Sequence, residues 1–107
     1  MSKGFGNLMR QVNSMQKKIT AVQAELNEKT VEGEAGQGKV KVVATGGNVV
    51  KSVTITDKAL VDPNDTGMLE DLIAVAVNDA LTRARKMKDE ELGKITAGLP
   101  VNLPGML

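Results

Sequence analysis

Leu8, Val12, Met15, Ile19, Val22 and Leu26 recur at alternating spacings of four and three along the first third of the chain. That is the 3.5-residue period of a coiled-coil seam, and it predicts one helix from about Asn7 to Glu28. The flanks are polar: Gln11, Gln16, Lys18, Gln23 and Glu25. A stripe this narrow is buried either on its own domain's core or against a second copy of the helix. The period then changes. Thr30–Glu34 is a weak strand candidate, whereas Lys39–Thr45 and Val49–Ile55 are rich in β-branched residues and set off by glycines. Gly36-Gln37-Gly38 and Gly46-Gly47-Asn48 are expected to supply the positive φ angles of tight hairpins, giving a three-stranded antiparallel meander. Val40, Val42 and Ala44 share one face of it, and Lys39, Lys41, Val43 and Thr45 the other, so one of the two faces should lie under the helices.

A connection from Asp57 to Thr66 contains Pro63 and offers Asn64, Asp65 and Thr66 as helix N-caps. The second helix is expected from about Gly67 to Leu92, with Leu69, Leu72, Ile73, Ala76, Ala80, Ala84 and Met87 on its apolar face. Its three alanines admit a close-packed neighbour. Gly93 and Gly98 loosen the chain. An uncharged segment follows over 99–107, where Pro100 and Pro104 exclude helix and central strand, leaving a disordered or an extended, docked tail. The fold class is therefore α+β, with residues 1–98 as a single domain and 99–107 as an apolar, proline-containing tail.

Composition narrows the chemistry. A chain of 107 residues with 41% hydrophobic and 25% charged residues fits one folded domain. It has no Cys, no His, no Trp, no Tyr and one Phe. Disulfides, thiolate chemistry, the commonest metal ligand and the usual proton shuttle are all missing, and sites that stack bases on aromatic rings are close to excluded. No cofactor, metal or small-molecule substrate is expected, and no enzymatic activity. The N-terminus has no apolar core of a secretory signal, and no stretch approaches the ~20 apolar residues of a membrane span. A cytoplasmic protein with no membrane partner is the expectation.

Three features invite a sharper reading. Gly33–Gly38 resembles a phosphate loop only in its glycines: it leads into a strand and no Gly-Lys-Ser/Thr follows, so a hairpin turn is expected. Glu70, Asp71 and Asp79 are explained as first-turn acids and as an Asp79–Arg83 intrahelical pair. The basic residues are more informative than the net charge of +1 suggests. Lys3, Arg10, Lys17 and Lys18 all precede the first acidic residue, Glu25. Lys3, Arg10 and Lys17 are seven apart and form a line opposite the seam. Arg83, Arg85, Lys86 and Lys88 form a second cluster, split by helical geometry into two flanks and followed by Asp89, Glu90 and Glu91. Single-sign charge on a helix face points to a polyanion.

The order and spacing of several motifs make the chain resemble the YbaB/EbfC family of bacterial nucleoid-associated DNA-binding proteins. They are Gly6-Asn7-Leu8-Met9-Arg10-Gln11 with Met15-Gln16, Val31 through Gly38 with Val40-Lys41-Val42, Met68-Leu69-Glu70-Asp71-Leu72, Asn78-Asp79-Ala80, and Gly98-Leu99-Pro100 with Pro104-Gly105. The resemblance implies a homodimer whose helices project like tweezers, double-stranded DNA as ligand, and a role in nucleoid organisation and gene expression. It carries over Arg10, Lys17, Lys18 and Arg83 as DNA contacts. Lys3, Arg85, Lys86 and Lys88 are added from charge alone. The alternative is an adaptor dimer that binds proteins through its helices and C-terminal tail.

Overall fold

The computed structural model describes residues 2–96; the tail expected over 99–107 lies outside the described residues. Helix α1 (Ser2–Glu28) is followed by strands β1 (Thr30–Ala35), β2 (Val40–Thr45) and β3 (Val50–Ile55). A 3₁₀ turn (Lys58–Leu60) then leads into helix α2 (Gly67–Thr96). The sheet is an antiparallel meander of order β1-β2-β3, as the strand pattern predicts. Its first hairpin turns through Gly36, Gln37 and Gly38 at φ of 61°, 57° and 85°, so the Gly33–Gly38 glycines serve strand and turn.

Two glycines have a different purpose from the one expected. In the β2–β3 turn only Asn48 has a positive φ, at 65°. Gly46 is small because α1 ends against it. A Cβ there would stand 2.7 Å from the Leu26 carbonyl oxygen and 2.9 Å from the Leu26 Cβ, and one on Gly47 would strike the Asn27 side chain. Thr45 also departs from the expected outer face. The register slips between Val43 and Ala44, so that Ala44 pairs with Val50. Thr45 is buried, and its Oγ1 accepts N–H bonds from Gly47 (3.1 Å) and Val49 (3.3 Å) that close the turn.

Helix α2 lies across β1 and β2 with Ala76, Ala80 and Ala84 fully buried against Val40, Val42, Ala44 and Ala35. Contact is close enough that a Cβ on Gly33 would sit 2.6 Å from the Ala80 Cα and 2.8 Å from the Ala76 carbonyl oxygen. Leu69, Leu72 and Ile73 flank this core as predicted, joined by Val77 and Leu81. Thr66 caps the helix, its carbonyl accepting from Glu70 N–H at 2.9 Å. Both helices outrun their predicted ends. Helix α1 begins at Ser2, and α2 passes through Gly93, a residue that costs a helix about 1 kcal/mol, to Thr96. In the last turns of α2, the Glu91 carboxylate meets Lys29, the residue that follows α1, at 3.8 Å, and Lys94 of α2 itself at 3.2 Å.

The molecule is long. Its extents are 74 × 22 × 17 Å and its radius of gyration is 20.0 Å, against about 13 Å for a compact chain of this length. Helix α1, about 40 Å long at 1.5 Å per residue, leaves the sheet as an arm. Burial falls along its seam. Leu26 is 2% exposed, Val22, Ile19 and Met15 are half-buried, and Val12 and Leu8 are 50% and 54% exposed. The seam is thus a core face at one end only.

Candidate nucleic-acid interface

The α1 arm presents its basic residues to solvent. Arg10, Lys17 and Lys18 are exposed, and none of them makes an ion pair among the described residues. Arg10 and Lys17 are two helical turns apart, about 10 Å along the axis, on the side away from the seam. Lys3 lies within α1, and its side chain is outside the described residues. Beside Lys17 runs a shallow surface lined by Asn13, Gln16, Thr20, Ala21 and Ala24. Two alanines keep this surface low. The amides of Asn13 and Gln16 add uncharged donors of the kind that bind phosphate oxygens. Counting charges alone passes over these amides, although they recur with Lys17 at helical spacing.

The α2 cluster is dispersed. The Arg83 Nε donates to Asp79 Oδ2 at 3.1 Å, as the four-residue spacing predicts. The same carboxylate oxygen accepts the Glu34 N–H at 3.0 Å, tying α2 to β1. That N–H bond, with the guanidinium beside it, holds Asp79 below the usual carboxylate range. Arg83 therefore carries its counter-ion with it. Arg85 and Lys86 are exposed and point about 100° apart around the helix. Lys88 is half-buried beside Gln23, Leu26, Asn27, Gly46 and Gly47, at the base of the α1 arm. Of the second cluster, only Lys88 is placed against α1. Lys94 and Lys29 hold Glu91 below its ordinary pKa, Lys94 more strongly through its hydrogen bond. The Lys29–Glu91 pair joins residues far apart in sequence, so no spacing rule could have found it. Among the described residues no cluster of acidic side chains could hold a metal ion, and no helix is long and apolar enough to cross a membrane.

The chain is an α+β domain with a projecting helical arm whose charged residues are all basic before Glu25. Comparison with known proteins gives it a family. The sequence profile of the YbaB/EbfC DNA-binding family matches residues 1–99, and the chain belongs to that family. A nucleoid-associated protein of Acetivibrio thermocellus is 50% identical over 107 residues, covering 96% of this chain and 93% of the relative. One from Syntrophobacter fumaroxidans is 49% identical over 106 residues, covering 99% and 93%. One from Myxococcus xanthus is 47% identical over 98 residues, covering 92% and 90%. The crystal structure of an uncharacterized protein from Helicobacter pylori shares the fold, with a TM-score of 0.71 at 19% identity, over 88% of this chain and 97% of that one.

Proposed function

We propose that this chain is a non-enzymatic, homodimeric protein of the bacterial nucleoid, in the cytoplasm, that binds duplex DNA mainly through backbone phosphates. The observation that carries the reading is the exposed, unpaired set Arg10, Lys17 and Lys18 on an arm with no acidic residue before Glu25. Cations so placed displace condensed counterions from DNA, which makes affinity fall steeply with salt. Base reading is poor because the arm carries no compact group of amide and guanidinium donors at one tip. The relatives named nucleoid-associated proteins support the nucleoid location, and a role in organising the chromosome and adjusting its expression is part of the same proposal.

A homodimer is favoured by an incomplete core. Leu26, Val40 and Val42 are the only large side chains fully buried among the described residues. Helix α2 covers β1 and β2 but leaves β3 open, with Val50 and Val53 exposed although Val53 pairs with buried Val42. The outer face of the sheet is polar and bears a Lys41–Glu32 pair. A second copy placed along β3 would cover the open strip and double the basic arms, as twofold symmetry allows.

The test is a gel-shift titration of random duplex DNA at low and at physiological salt. Wild-type protein is expected to bind, with affinity falling steeply as salt rises. Replacing Arg10, Lys17 and Lys18 with Gln should weaken binding to all sequences alike and flatten the salt dependence by about three ion equivalents per arm engaged. Absence of a shift at micromolar protein in low salt would overturn the reading. Equal binding by wild type and variant would move the contact away from α1.

A further inference from the structure

Where the base of the α1 arm meets the β2–β3 turn and α2, the surface dips into a recess of about 240 Å³. Leu26, Gly46 and Gly47 line it with three polar side chains, Gln23 and Asn27 from α1 and Lys88 from α2. The Asn27 amide lies over Gly47, its Oδ1 2.3 Å from where a Cβ would stand. The backbone N–H groups of both glycines are already engaged, Gly46 by the Lys29 carbonyl and Gly47 by Thr45 Oγ1, each at 3.1 Å. A ligand here must therefore be held by side chains.

Those side chains are free to hold one. Among the described residues no hydrogen bond or ion pair engages Lys88 or the amides of Gln23 and Asn27. A half-buried ammonium without a counter-ion favours an anion beside it. The neighbouring acids do not supply that anion. Glu91, one turn beyond Lys88, is taken by Lys94 and Lys29. Glu28 and Asp89 point about 100° away from their neighbours Asn27 and Lys88, and Glu25 lies on the far side of α1. Arg85, one turn before Lys88, adds a second cation outside the recess.

The kind of anion is indicated by what leads to the recess. Asn13, Gln16, Thr20, Gln23 and Asn27 recur at spacings of three and four, which puts five uncharged hydrogen-bonding side chains in one line along α1. The line starts beside Lys17 and runs about 21 Å to the recess. Amides, hydroxyls and lysines are the groups that grip phosphate oxygens along a nucleic-acid strand.

We infer that this recess seats one phosphate of the DNA backbone, held by Lys88 of α2 and by the Gln23 and Asn27 amides of α1. The site presupposes DNA binding by the arm and deepens it: a strand lying along α1 ends in a contact that exists only once α2 has packed beside the arm.

Gel shifts with random duplex DNA over a range of salt test the site, because removing a cationic phosphate contact changes the salt slope as well as the affinity. Lys88→Gln should weaken binding several-fold and flatten the salt dependence by about one ion equivalent per recess engaged, whereas Lys88→Arg should keep both near wild type. Gln23→Ala combined with Asn27→Ala should weaken binding without changing the slope. Adding Lys88→Gln to that pair should cost clearly less than it does in wild type, since all three side chains meet one phosphate. Lys58→Gln removes the same charge from an exposed position just past β3, at the opposite end of the sheet, and should leave the slope unchanged. Wild-type binding by Lys88→Gln, an equal effect of Lys58→Gln, or strictly additive losses would each overturn the phosphate seat while DNA binding by the arm stands. Absence of a wild-type shift would overturn both.

Discussion

Gly33 has the tightest surroundings in the described chain, because the Ala80 backbone occupies the place a side chain would fill. Gly33→Ala must push α2 off the sheet, and we expect a loss of at least about 2 kcal/mol in urea unfolding, at the upper part of the range for overpacked cores. Asp79 has a lighter and pH-dependent part. Its folded pKa lies below its unfolded value. The stabilisation is therefore complete above the ordinary Asp value of about 3.9 and fades as pH falls through the folded one. Asp79→Ala should lose about 1 kcal/mol near neutral pH, and the gap to wild type should narrow in urea midpoints taken from about pH 6 down to about pH 3. The Asp79–Arg83 half of this site is legible from a four-residue spacing. The Glu34 N–H half is not, since only the docking of α2 on β1 brings it within 3.0 Å.

At the scale of elements, periodicity identified both helices and all three strands, because each alternation is a local property of the chain. Ends were less legible. Helix α2 runs on through Gly93, and its Glu91 meets Lys29 just past the end of α1, a contact that has no local signature. The seam of α1 shows the difference most plainly. Its six predicted apolar positions look equivalent in sequence, yet Leu26 is 2% exposed and Leu8 is 54% exposed. Leu26→Ala should cost about 2–4 kcal/mol, the usual result of emptying a buried leucine site. Leu8→Ala should stay within about 0.5 kcal/mol in urea unfolding at concentrations where the chain is dissociated. Comparable losses at the two positions would mean that the seam is buried along its whole length.

For the whole molecule, the decisive fact is how little of it is core. A chain with a radius of gyration of 20.0 Å and, among its described residues, three large fully buried side chains has much of its apolar surface still to cover. Val53, 44% exposed on the inner face of β3, is the natural place to test where a second copy sits. Val53→Asp should reduce the mass in light scattering from a dimer toward the 11.3 kDa of one chain. The same variant should also weaken DNA binding, because each molecule then carries one arm instead of two. A dimeric mass retained by Val53→Asp would place the interface elsewhere.

The sequence by itself determined the elements, their order and the excluded chemistry, since periodicity, turn residues and the lack of His, Cys, Trp and Tyr need no partner to be read. It also showed that a net charge of +1 conceals a first helix free of acid until Glu25. Tertiary structure decided which of the charges are available. Lys88 sits at the arm's base, while Arg10, Lys17 and Lys18 are exposed on the part of α1 that projects from the sheet. Charge is a property of the residue, but its availability depends on what lies beside it in space, and the chain sets that only when it folds.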